Sequence, residues 1–288
     1  MKTHSRPHLS GIVLMMKASV CFSIMAMCVK WASSGLPSFE IVFFRSLLGT
    51  LMILPLLIAK KVSFVGKAHG ILLLRGTSGF VALTLFFYTL TKLPLGTAVI
   101  LNYTSPIFSA ILATLFLKER PGIITFFMTL ISFLGVYLLV DSRLPGSGLP
   151  VLLGLLSAVA AGVAYVSIRA IKHRESPLTV IFYFTLISTV GSAGLLSFGF
   201  RWPTPIEWLA LAGVGIGAFY GQLWMTISLR RAPASLVGPF SYLSPLLSFI
   251  YGLLFWGERL SWKALSGAFL IILGGAAITY FGSGKKSK

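Results

Sequence analysis

From residue 11 to residue 282 the chain is a succession of apolar runs, interrupted only by short groups of Gly, Pro and polar residues. A run of about 20 apolar residues is long enough to cross the hydrocarbon core of a bilayer as a helix. Backbone N–H and C=O groups in lipid must be satisfied within the segment or within a closed barrel. The Phe- and Gly-rich runs lack the ten-residue in/out alternation of a membrane barrel. Composition agrees: 56% of the residues are hydrophobic and 10% are charged, where a soluble domain has roughly a quarter charged. The chain therefore reads as an all-α membrane protein.

Turn signals divide it into ten expected spans, at 11–32, 38–59, 70–91, 95–117, 122–141, 148–170, 178–199, 206–229, 234–256 and 261–282. Connections such as "SSGLPS" at 33–38 leave no room for a soluble domain. The basic start and the small residues at 32–35 have some character of a cleavable leader. Lys17 interrupts the apolar core, however, and the segment has a later counterpart, so it reads as the first span.

The net charge of +18 is spread over short inter-span groups, with no contiguous basic domain for nucleic acid. With the N-terminus placed in the cytoplasm, fifteen Lys and Arg fall inside. Five fall outside, namely Lys92, Arg143, Arg201, Arg259 and Lys263. The positive-inside bias then puts both termini in the cytoplasm of a multi-pass protein of the cell (inner) membrane. Cys21 and Cys28 share one apolar run and read as small packed side chains.

Residues 89–140 align without a gap on 228–279, at an interval of 139 residues. Tyr103 falls on Tyr242, Ser105-Pro106 on Ser244-Pro245, and Glu119-Arg120 on Glu258-Arg259; Lys30 falls on Arg169. The duplicated unit, 1–143 and then 144–288, holds five spans. A copy with an odd number of spans enters the membrane from the opposite side. The expected fold is thus ten transmembrane helices as two inverted five-helix repeats, an arrangement of secondary transporters with a midplane site between repeats.

Pro106 and Pro245 each fall near the centre of an apolar run. Mid-helix proline frees the carbonyl four residues earlier, here those of Asn102 and Ser241. Beside them stand Tyr103, Thr104 and Ser105 in one copy, and Tyr242 and Ser244 in the other. The two stretches are expected to form opposite walls of a solute site. Tyr88 with Thr84, and Tyr220 with Trp224, add aromatic and hydroxyl groups one turn apart. The Gly213, Gly217, Gly221 stripe beside them is a close-packing face.

Four basic residues fall within spans. Lys17 and Arg45, near mid-helix, are candidates to hold an anionic group of a solute or to pair with freed carbonyls. Lys30 and Arg75, nearer the ends, are expected to snorkel. All acids and histidines lie in loops or at span ends, so Lys17 and Arg45 are the ionisable groups at depth and no metal ligand set or catalytic pair is there. No Walker phosphate loop is present, so ATP is not the energy source. No cofactor is expected, and an enzyme is excluded on the same grounds.

The duplicated "NYTSPIFSAILATLFLKERP" and "SYLSPLLSFIYGLLFWGERL", with "FFRSLLG", "RGTSGF" and "FFYTL" upstream, resemble the drug/metabolite transporter superfamily, in its ten-helix form with two EamA-type repeats. The resemblance covers essentially the whole chain. It implies a carrier of amino acids, S-adenosylmethionine, vitamins, polyamines or drugs. The run "RG…G…FFY…PL…A…SPIF" is similar to the branch that includes S-adenosylmethionine carriers. By this resemblance spans three, four, eight and nine line the cavity and five and ten lie outside it, so the chain acts as a monomer or a homodimer. Proton-coupled export, facilitated diffusion and exchange all remain open. The rival reading from another class is a non-transporting membrane scaffold or receptor.

Overall fold

The computed structural model describes residues 6–116, 123–139, 148–171, 174–231, 238–258 and 261–282. Among them every regular element is helical. In chain order these are α1 (Arg6–Ala32), α2 (Ser38–Ala59), α3 (His69–Lys92), α4 (Leu95–Asn102), α5 (Ser105–Phe116), α6 (Ile123–Leu139), α7 (Gly148–Ile171), α8 (Pro177–Leu195), α9 (Pro205–Arg231), α10 (Leu243–Trp256) and α11 (Trp262–Gly282). Short 3₁₀ turns occupy Leu196–Phe198 and Gly238–Tyr242. Six helices (α1, α2, α3, α7, α8 and α9) contain stretches long and apolar enough to cross a membrane.

Large apolar side chains cover the outside, among them Leu115, Phe116, Val190 and Phe269. Exposed apolar surface on this scale is what a bilayer, not water, solvates. Inside, the main core joins Val29, Ile41, Phe87, Leu95, Ile100 and Val214 from helices of both halves. Two expected spans differ from the sequence reading. The described residues of the run 95–117 form two helices, α4 and α5, and those of the run 234–256 form a 3₁₀ turn followed by α10.

Four helix pairs make the broadest contacts between the halves: α1 on α9, α3 on α7, α2 on α8, and α6 on α11. In each, contacts early in one helix meet residues late in the other. Gly213 faces Cys28, Gly217 faces Cys21 and Met25, and Gly221 faces Phe22. Ser157 Oγ donates to the Ala82 carbonyl at 2.8 Å, while Leu72 packs with Ile171. Glu40 meets Arg201 and Leu57 packs near Leu178. Gly135 lies against Gly267 and Ile271, and Gly274 against Met128. All four pairs are therefore antiparallel.

The glycine stripe of α9 does what its spacing indicates. A Cβ on Gly217 would sit 2.9 Å from the Cys21 carbonyl oxygen and 3.3 Å from Met25 N. Backbone atoms of a helix cannot yield, so Gly217→Leu has to part α1 from α9. Overpacking of this kind costs about 1–3 kcal/mol. Gly217→Leu should lower the midpoint of thermal unfolding in detergent. Gly194→Leu, with open space around Gly194, should leave it unchanged.

Candidate functional site

The two proline segments meet at the centre. Helix α4 closes with Tyr103 N donating to Val99 O and Thr104 N donating to Leu101 O, each at 3.1 Å. The chain restarts at Ser105, so Pro106 occupies the first turn of α5 and Pro245 the first turn of α10. Proline is tolerated there because first-turn N–H groups have no intrahelical partner. The expected continuous helices kinked at proline are thus corrected to breaks that precede each proline. The polar residues lie at those breaks.

The rings of Tyr103 and Tyr242 face each other with centroids 5.6 Å apart. Tyr242 is buried, its hydroxyl has no hydrogen-bond partner, and its ring fills the flank of Gly275. Tyr103 reaches Ser244 in the opposite copy, and Tyr165 reaches Ser105. Asn102 Nδ2 donates to Ser157 Oγ at 3.2 Å. Ser244 and Pro245 are buried, and Ser241 is half-buried. In this state the two walls are packed on one another.

A second polar cluster lies between α2, α3 and α8. The guanidinium carbon of Arg45 sits 5.0 Å from the Phe184 ring centroid, and that of Arg75 sits 4.5 Å from it. Both arginines are buried, at 3% and 6% exposure. Arg45 Nε and Nη1, Arg75 Nε, and the hydroxyls of Ser46 and Ser188 are buried with no hydrogen-bond partner. The expectation that Arg75 snorkels is corrected. Its guanidinium fills the space that a side chain at Gly79 would take, one turn further along α3. The missing Cβ makes a groove along which Arg75 extends toward mid-depth.

A narrow crevice of about 10 Å³ lies beside Arg45, lined by Gly49 and Ile53 of α2, Ile181 and Thr185 of α8, and Phe219 and Gln222 of α9 among others. On the adjoining face of α9, Tyr220 and Trp224 pair at 5.4 Å, with Lys17 Nζ 5.7 Å from the Trp224 ring. Lys17 is exposed, Tyr88 is half-buried, and Thr84 Oγ1 is buried without a partner. Lys17 therefore joins the aromatic pair, and it is Arg75 that stands with Arg45.

Lys30 also does more than snorkel. Its ammonium pairs with Glu258, donates to the Leu93 carbonyl at 2.9 Å and lies over the Trp256 ring. Glu258 in turn accepts from Leu95 N at 2.7 Å. One carboxylate thus ties the end of α1, the start of α4 and the end of α10. The repeat-equivalent pair, Glu119 with Arg169, falls outside the described side chains. Among the described residues no group of His, Cys, Asp and Glu could hold a metal.

The chain matches the EamA-like transporter family twice, over residues 9–141 and 148–280. It is 34% identical over 272 residues to the pseudopaline exporter CntI of Pseudomonas aeruginosa, covering 94% of this chain and 96% of that protein. It is 26% identical to human solute carrier family 35 member G1, covering 93% of this chain and 79% of that one. It is 23% identical to an S-adenosylmethionine uptake transporter of Rickettsia conorii, covering 93% and 91%. A solved crystal structure at 20% identity shares the fold with a TM-score of 0.67, over 96% of this chain and 99% of that one. The chain belongs to the EamA-like transporter family: it is a multi-pass membrane secondary transporter of small organic metabolites, and not an enzyme.

Proposed function

We propose that the chain spans the cell (inner) membrane ten times, with both termini in the cytoplasm. Residues 1–143 and 144–288 then form two inverted five-helix repeats. Between them a solute is exposed alternately to the two sides. The observation that carries this reading is that residues 139 apart touch each other. The Tyr103 ring packs against Tyr242 at a tilt of 54°, Arg45 lies over Phe184, and Thr50 Oγ1 lies 3.3 Å from Thr189 Oγ1. Equivalent residues of two copies meet only along a two-fold axis. Equivalent helices α2 and α8, and likewise α6 and α11, run antiparallel, so that axis lies in the membrane plane. Rocking the halves about it exchanges which face is open.

The solute contacts in this reading are Asn102, Tyr103, Ser105 and Pro106 on one wall, and Ser241, Tyr242, Ser244 and Pro245 on the other. Thr84, Tyr88, Tyr220, Trp224, Lys17 and Arg45 line the way to them. The similarity to an exporter over nearly the full length favours export.

Reconstituted in proteoliposomes, the protein should take up a metabolite saturably, and Ser105→Ala and Tyr242→Ala should reduce that flux at least tenfold without changing insertion. Wild-type flux in both variants removes the proline walls from the path, and no saturable flux favours a scaffold or receptor. Cysteines placed at residues 64 and 202 in a Cys21→Ala, Cys28→Ala background should label from opposite sides of the membrane. Labelling from one side overturns the inverted repeat.

A further inference from the structure

The arginine pair names a solute class. Two guanidinium groups are buried on one phenyl ring, with three of their nitrogens unpartnered. Among the described residues four acids are held elsewhere, Glu40 through one oxygen only, its buried Oε2 having no partner. Glu40 accepts from Arg201 N, Glu175 from Lys67 N and Ala68 N, Glu207 from Arg201 and Thr204, and Glu258 from Lys30 and Leu95. A buried unpaired cation is among the costliest groups a membrane protein can carry, and proteins retain it where a ligand completes it. The cluster also breaks the internal duplication. At the repeat-equivalent positions of Arg45 and Arg75 stand Phe184 and Val214.

We propose that Arg45 and Arg75 form an anion site, and that the transported solute bears two carboxylates. Arg45 lines the crevice and takes the first carboxylate through its free Nε and Nη1, the side-on edge a carboxylate engages bidentately. Arg75, on the same ring, supplies the second charge, with Ser46 and Ser188 as unused hydroxyls at the α2–α8 crossing. This rests on the carrier reading above and deepens it.

The test uses the full-length protein in detergent at fixed ionic strength, with melting followed against malonate, succinate, glutarate and citrate, and against succinamide as the uncharged control. At least one carboxylate should raise the midpoint saturably, and succinamide should not. Without ligand, Arg45→Leu and Arg75→Leu should melt at or above wild type, because each removes an unpaired buried charge; both should lose the carboxylate response. Arg45→Lys should keep a weakened response, since an ammonium offers no bidentate edge.

An equal response to succinamide, no response to any of the four acids, or a fall of several degrees in the unliganded leucine variants overturns the proposal. Saturable flux of a neutral or cationic metabolite, with no carboxylate response, would end the anion site and leave the carrier reading standing. A carboxylate response without flux would do the reverse.

Discussion

Glu258→Ala should abolish solute flux and lower stability together. The substitution leaves the Lys30 ammonium without its carboxylate and the Leu95 N–H without its acceptor. Each orphaned donor in a part-buried site costs about 1–3 kcal/mol. Both side chains of the pair are only about one-seventh exposed, at 15% and 14%, so water screens the loss only in part. The release also frees three chain ends at one face of the bundle. Glu258→Gln separates the two roles, because an amide oxygen still accepts from Leu95 but carries no charge for Lys30. It should retain the fold and show intermediate flux. Lys30→Ala combined with Glu258→Ala should cost less than the two single changes added. Full flux in Glu258→Ala would mean that this tie plays no part in the cycle.

Gly79→Ala should nearly silence the carrier through one methyl group. The added Cβ overlaps the Arg75 guanidinium and would lie 2.8–2.9 Å from two carbons of the Phe184 ring. Arg75 could swing away, but Phe184 is buried at 4% exposure between helices and has no room to turn. Forcing such a contact costs about 1–3 kcal/mol, and it falls on the ring both arginines share. Flux should drop at least tenfold with insertion intact. Gly70→Ala lies on the same helix with nothing within 4 Å and is the matched control, expected to behave as wild type. If both variants transport alike, the packing around Phe184 is irrelevant to the solute.

Much of this was legible before any coordinates. Apolar run length marked the helices, and the interval of 139 residues marked the residues that touch across the halves. The proline segments stand out in the sequence, but not that they break the chain. A proline has the same spelling in a kink as in a first turn, and neighbouring packing chooses between them. Arg75 was missed because counting places it near a span end, where a long cation ordinarily turns back to water. The signal was present in "RGTSG": a glycine one turn after the arginine leaves a furrow pointing the other way. Phe184 carried no signal of its own. Only its position, 139 residues after Arg45, could have singled it out.

The lopsided placement of the two arginines limits how this machine can run. Its scaffold is near enough to its own image that either mouth could be formed by the same movement played backwards. The cationic station has no image, so there is a single berth and not a relay of two. On the proposed anion site, cargo stays moored to one shore while the walls change sides around it, and its departure waits on whichever mouth loosens that mooring.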